Sequence, residues 1–127
     1  MILDSDILIY FLKGKREVVA EMTKLESLYT TRINYTELIY GAYNSSKPAE
    51  NLAKFREFLD NFIILEFDEK SSEIFAQIKA KLKKDGNIIA DMDLMIASIS
   101  IANNMALVTN NHKHFSRIKE LKTVKWF

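Results

Sequence analysis

The chain has 127 residues, of which 48% are hydrophobic and 28% charged, with a formal net charge of +1. That is enough to bury one core, and it excludes a disordered chain and a strongly basic one, so any grip on nucleic acid must come from local patches or from bound metal. There are no cysteines, which excludes disulfides, thiolate metal sites and cysteine nucleophiles and fits a cytoplasmic protein.

The N-terminal run MILDSDILIYFLKG is apolar, but Asp4 and Asp6 interrupt it and no basic region precedes it. It reads as neither a signal peptide nor a membrane span. Met1 to Leu3 reads as a strand, Asp4-Ser5-Asp6 as an acidic turn, and Ile7 to Leu12 as a helix stopped at Gly14. Asp4 would then sit at the carboxyl end of a strand, where α/β sheets place their ligands, unless Asp4 or Ser5 only caps the helix. Arg16 to Leu28 has an amphipathic helical pattern, and Tyr29 to Ile33, β-branched and aromatic, reads as a second strand. In the following helix, Asn34 to Tyr43, Asn34 is the expected N-cap and Glu37 the N3 partner of a capping box, with Ile33 and Leu38 as a hydrophobic staple. Ala49 to Phe62 is a helix with an aromatic stripe, either core or an interface. Ile63 to Phe67 is a third strand, and Asp68 to Lys84 is a long helix closed by Asp85-Gly86.

The stretch from Asp91 to Phe115 is the most distinctive. It opens with Asp91 and Asp93 and continues almost uniformly apolar to Ala102, the pattern of a buried helix. Asn103 and Asn104 suit its C-terminal cap. Met105 to Val108 reads as a short buried strand broken by Thr109, Asn110 and Asn111. His112 to Ile118 is a short helix, and Lys122 to Phe127 an edge strand. Strands alternating with helices predict one α/β domain over residues 1–127, three-layered around a mainly parallel sheet.

Asp4, Glu37, Asp93 and Asn111 each follow a strand or head a helix, positions that share one edge of a parallel sheet. Carboxylates about 4 Å apart repel by about 4 kcal/mol per pair at an effective dielectric near 20. A fold relieves this by protonating one acid or by binding a divalent cation, and carboxylates with water suit Mg²⁺ or Mn²⁺. Such a site supports metal-assisted hydrolysis of a phosphodiester. No GxxxxGK[ST] or GxGxxG loop is present. The two histidines, His112 and His114, have no glutamate beside them and read as surface residues.

The segments MILDSDILIYFLKG, NYTELIYGA, DMDLMIASISIANN and LVTNNHKHFSRIKELKTVKWF, in that order and spacing, make the chain resemble the PIN-domain ribonucleases, in particular the VapC toxins of toxin–antitoxin pairs. The resemblance runs over essentially the whole length. It implies a PIN fold, an α/β/α sandwich, and Mg²⁺- or Mn²⁺-dependent endonucleolytic cleavage of RNA, with tRNA or rRNA as substrate. Carried over by motif, Asp4, Glu37 and Asp93 are the catalytic acids and metal ligands. Asn111 takes the place of a fourth acid, and Asp6 stands where the family usually has Asn. Thr109 matches the family's hydroxyl residue and orients the site, and Asp91 is either a helix cap or a further metal contact. Lys81, Lys84 and Lys113 are candidates for holding the RNA backbone. The resemblance also implies a homodimer and a VapB-type antitoxin, with contacts sought on the faces Tyr35 to Tyr43 and Leu52 to Phe62.

Two other readings compete. Asp4-Ser5-Asp6 after the first strand is similar to the DxD of HAD-type phosphatases, but that family expects Gly-Thr near Asp6, where this chain has Ile7-Leu8. A PIN-like domain kept only for binding RNA or protein would be favoured by a missing acid, and Asp4, Glu37 and Asp93 are all present.

Overall fold

In the computed structural model, which describes residues 1–127, strand β1 is only Ile2–Leu3, and both side chains are fully buried. Successive strand residues face opposite sides of a sheet, so each joins a different core. Ile2 packs with Ile78, Leu82, Leu94, Ile96 and Phe115, while Leu3 packs with Ile7, Leu8, Val18, Leu38 and Leu59. Strand β4 (Leu107–Val108) divides the same way, Leu107 joining Ile2 and Val108 joining Leu3. Burial on both faces is why these strands read as uninterrupted apolar runs.

Strands β2 (Leu28–Thr31), β3 (Phe62–Leu65) and β5 (Thr123–Val124) complete a five-stranded sheet of order β3-β2-β1-β4-β5. Every pairing is parallel. Helices α1 (Ser5–Leu12), α2 (Arg16–Thr23), α3 (Arg32–Tyr43) and α4 (Pro48–Leu59) supply the core on the Leu3 face. Helices α5 (Glu69–Lys84), α6 (Asp91–Ala102) and the short α7 (His112–Phe115) supply the core on the Ile2 face. The result is the expected three-layer α/β/α architecture. The chain winds outward from β1 in both directions, and such a reversal opens a crevice beyond the carboxyl ends of the central strands.

Several boundaries differ from the sequence reading, each because pairing across the sheet outweighs local pattern. Leu28 was expected to end a helix and Phe62 to end another, yet they are register partners that open β2 and β3. Strand β4 begins at Leu107 rather than Met105, and the C-terminal edge strand shortens to Thr123–Val124. The cap of α3 also moves. Thr31 ends β2 and is the N-cap, its Oγ1 accepting from Asn34 N at 3.1 Å, and Asn34 is the N3 partner of the capping box. The sequence holds two overlapping cap patterns three residues apart, and the end of the strand selects the first. Ile33 and Leu38 therefore form no staple and enter opposite cores. Glu37 is released from capping.

Helix α6 is capped by Ala90, without a side-chain bond, so Asp91 is its first residue and not its cap. At its other end Asn104 takes a left-handed φ of 51°, the conformation Asn tolerates.

Candidate active site

Asp4 leaves β1 into the crevice. Its backbone N–H extends the ladder to the Val108 carbonyl at 3.0 Å. Its Oδ1 accepts from Ser5 N and Asn34 Nδ2, both at 2.8 Å, and its Oδ2 accepts from Thr109 Oγ1 at 2.7 Å. Thr109 directly follows β4, so the carboxylate is gripped from the two central strands and from α3. Its surroundings leave it 7% exposed. Burial, and then the charge of Asp6, push the Asp4 carboxyl up to about 6 despite these donors.

The fully buried Asn34 amide divides its two hydrogens between Asp4 and Ser5 Oγ, the latter at 2.9 Å. Ser5 Oγ in turn donates to Glu37 Oε1 at 2.7 Å. Glu37 is raised by burial, with Asp93 and Asp6 adding to the effect. Asp6 Oδ1 accepts from Ile7 N at 2.7 Å and Oδ2 from Asn110 N at 2.9 Å. Burial raises it as well, against those donors and nearby His112.

Asp93 projects from the first turn of α6, and its Oδ2 lies 3.3 Å from His114 Nδ1. The same ring nitrogen is 3.2 Å from Asn111 Nδ2, and Asn111 N donates to Thr109 Oγ1 at 2.9 Å. Asp4, Ser5, Asp6, Glu37, Asp93 and Asn111 line one cavity of about 190 Å³ with no hydrophobic residue in its wall. Asn110 Oδ1 and His112 Nε2, in the same segment, are buried without a protein partner.

Residues 1–121 match the family model of the PIN domain. The chain belongs to the PIN-domain family. Relatives of this PIN domain include ribonuclease VapC2 of Haemophilus influenzae, 33% identical over 126 residues, with 98% of this chain and 96% of that protein covered. The tRNA(fMet)-specific endonuclease VapC of Shigella flexneri is 32% identical over the same span and coverage. The fold superposes with a TM-score of 0.91 on a chain of VapBC2 from Rickettsia felis, solved bound to a DNA fragment from its promoter. That chain is 32% identical, and 99% of this chain and 98% of that one are covered. These place the PIN domain among the VapC proteins. The HAD-type reading falls with this membership, and Ile7 and Leu8, where it needs Gly-Thr, are fully buried in the core.

Of the residues singled out in the sequence, this PIN domain brings Asp4, Asp6, Glu37, Asp93 and Asn111 to one cavity, with Thr109 bonded behind Asp4. Asp91 does not join them. Its exposed carboxylate pairs instead with Lys79 Nζ of α5 at 2.9 Å. Lys81 is paired with Glu120 at 3.6 Å, and neither it nor Lys84 borders the cavity. Lys113 is exposed on α7, between the two histidines. Three residues that bond to acids of the cavity were not placed in the site by the sequence reading: Ser5, Asn34 and His114, the last read as a surface residue. Asn34 was hidden by its resemblance to a helix cap. The signal for His114 was its spacing, three residues after Asn111 at the start of a helix, which puts both on one side of the turn.

No three carboxylate or imidazole side chains converge to the spacing of a single ion. Internal donors hold Asp4 and Glu37 where they stand. The donor set is nevertheless that of a hard cation that keeps several of its own waters, which Mg²⁺ does. Burial holds Asp4, Asp6 and Glu37 away from easy ionisation, and for Asp4 and Glu37 the charge of neighbouring acids adds to it; a divalent charge relieves both. The residues fit such an ion. No helix is long and apolar enough to cross a membrane.

Proposed function

We propose that this chain is the toxin of a toxin–antitoxin pair and an endoribonuclease that hydrolyses RNA phosphodiester bonds with Mg²⁺ or Mn²⁺, tRNA or rRNA being the substrate. The observation that carries the reading is one wholly polar cavity at the sheet's switch point, lined by Asp4, Glu37, Asp93 and Asn111 from four separate parts of the chain. The names of the VapC relatives support it, two of them a ribonuclease and a tRNA-specific endonuclease.

Asp4, Glu37 and Asp93 would hold the cation, with Asn111 as a neutral fourth ligand. When bound, the cation supplies positive charge for in-line hydrolysis of a phosphodiester. The rest falls to the chain's own groups. Thr109 and Asn34 fix the Asp4 carboxylate, so it needs no reorganisation when substrate arrives. Ser5 orients Glu37 through Oε1 and leaves Oε2 for the cavity. Of the lysines expected to hold the RNA backbone, Lys113 stands nearest the site in the chain, beside His112 and His114.

A VapB-type antitoxin is one proposed protein partner, in line with the VapBC assemblies among the neighbours; a second copy of the chain is the other. On α3, Tyr40 and Tyr43 are 66% and 61% exposed and offer an apolar contact face. Most of the Leu52–Phe62 stripe is core, but Phe58 reaches an open groove of about 520 Å³ with Phe11, Met22, Leu25, Leu28 and Ile63.

Incubating purified protein with mixed tRNA and rRNA tests the activity. Discrete fragments are expected with Mg²⁺ or Mn²⁺ and none with EDTA, Asp4→Ala or Asp93→Ala. Cleavage that survives EDTA or either substitution would place the activity elsewhere. Folded protein with neither cleavage nor metal binding would favour a domain that only binds.

A further inference from the structure

We propose that His114 is an additional ligand of the site, joining Asp93 and Asn111 around the cation and biasing it toward Mn²⁺ over Mg²⁺. The inference rests on the metal-dependent reading above. His114 Nδ1 lies 3.3 Å from Asp93 Oδ2 and 3.2 Å from Asn111 Nδ2. One ring nitrogen cannot serve both. With a proton it donates to the carboxylate and meets the amide hydrogens. Without one it accepts from the amide and meets the carboxylate lone pairs. Turning the amide over, an exchange of O and N that leaves its shape unchanged, puts two oxygens against one nitrogen, which still has one proton to give. A cation takes electron pairs from imidazole nitrogen, carboxylate oxygen and amide oxygen together.

The spacings suit that outcome. Ligands about 2.1 Å from an octahedral ion and at right angles to each other lie about 3.0 Å apart. The observed separations exceed this by a few tenths of an ångström, and 3.3 Å is long for a hydrogen bond to nitrogen. The side chain of His114 is 52% exposed and that of Asp93 21%, so the imidazole has room to close the difference. Phe115, 1% exposed, anchors the short helix that carries it. His114 stands beside the cavity, against Asp93 and Asn111, while Asp4, Ser5, Asp6 and Glu37 on its lining offer only oxygen. Oxygen donors suit Mg²⁺, whereas imidazole is a borderline donor that favours the transition metal. His112 lies near Asp6 but its Nδ1 is 3.3 Å from Thr123 Oγ1, and it touches neither Asp93 nor Asn111 by a hydrogen bond.

Electron spin resonance of bound Mn²⁺ tests this directly. The wild-type protein is expected to show ¹⁴N modulation from a coordinated imidazole, kept in His112→Ala and lost in His114→Ala. Competition with Mg²⁺ is expected to show the preference for Mn²⁺ falling about tenfold or more in His114→Ala, with the circular dichroism unchanged. Mn²⁺ that binds, is lost in Asp93→Asn, yet shows no ¹⁴N modulation and an unaltered preference in His114→Ala would overturn the role of His114 and leave the carboxylate site standing. No Mn²⁺ binding at all would overturn both.

Discussion

Asp4 accepts hydrogen bonds from Ser5, Asn34 and Thr109 and is still pushed up to about 6, because burial beside Asp6 outweighs those donors. The folded state therefore holds this proton more tightly than the unfolded chain does. The stability linked to it is complete below the unfolded value of 3.8 and is lost as pH rises through about 6. At about 1.4 kcal/mol per pKa unit the loss is up to roughly 3 kcal/mol. Asp4→Asn is thus expected to abolish cleavage yet raise the melting temperature of metal-free protein at pH 7.5. Its advantage should shrink toward zero as thermal melts are taken from pH 6 down to pH 4. Asn34 acts in the opposite sense. Asn34→Ala removes the donor shared by Asp4 and Ser5 and empties the N3 half of the α3 capping box. A loss of about 1–3 kcal/mol in urea unfolding is expected, with cleavage reduced because Glu37 loses its fixed partner Ser5. Neither role could be read in the sequence. An Asn one residue outside a strand and three before a Glu has the pattern of a cap, and only the end of β2 at Thr31 shows that the cap lies earlier.

Helix α6 carries Asp93 at its head and is held by its apolar body. Leu94, Ile96, Ala97 and Ile99 are essentially buried, and so are Ser98 and Ser100. The two serines avoid a desolvation penalty by donating to carbonyls one turn back, Ser98 Oγ to Leu94 O at 2.6 Å and Ser100 Oγ to Ile96 O at 3.1 Å. That is how a helix with hydroxyls can still be buried on nearly all sides, as its composition predicted. Ile99→Ala is expected to cost about 2–5 kcal/mol of unfolding free energy, measured by urea denaturation, and to weaken cleavage in proportion to the folded fraction alone. Ser98→Ala should stay within about 0.5 kcal/mol, since it removes donor and local partner need together. A contrasting element-scale contact is the Arg32–Glu66 pair, bidentate at 2.7–3.2 Å and well exposed, across the ends of β2 and β3. Its orientation is good, but solvent screens it, so Arg32→Ala is expected to cost no more than about 1 kcal/mol.

At the scale of the molecule, the sheet order β3-β2-β1-β4-β5 gathers residues more than a hundred positions apart, as Asp4 and Thr109 show. The same gathering concentrates negative charge that the rest of a nearly neutral chain does not balance locally. A bound divalent cation should therefore stabilise the native state by mass action, by about 2.7 kcal/mol at a hundredfold excess over its dissociation constant. Thermal melts with and without Mn²⁺ are expected to show this rise in the wild type and its loss in Asp93→Asn.

The amino-acid sequence by itself determined the alternation of strands and helices and the burial of α6. Both follow from apolar periodicity, which local residues carry in full. It also marked Asp4, Glu37, Asp93 and Asn111 as the residues bound for one edge of the sheet, because in a parallel sheet the end of every strand faces the same way. Tertiary structure alone decided the rest. Register pairing of Leu28 with Phe62 ended two helices early. Placement of Asp91 against Lys79 removed one acid from the site, while the fold of α7 onto α6 brought His114 to Asp93. These are contacts between elements distant in sequence. No local pattern encodes their geometry, because it depends on how two separately formed surfaces meet around a shared core.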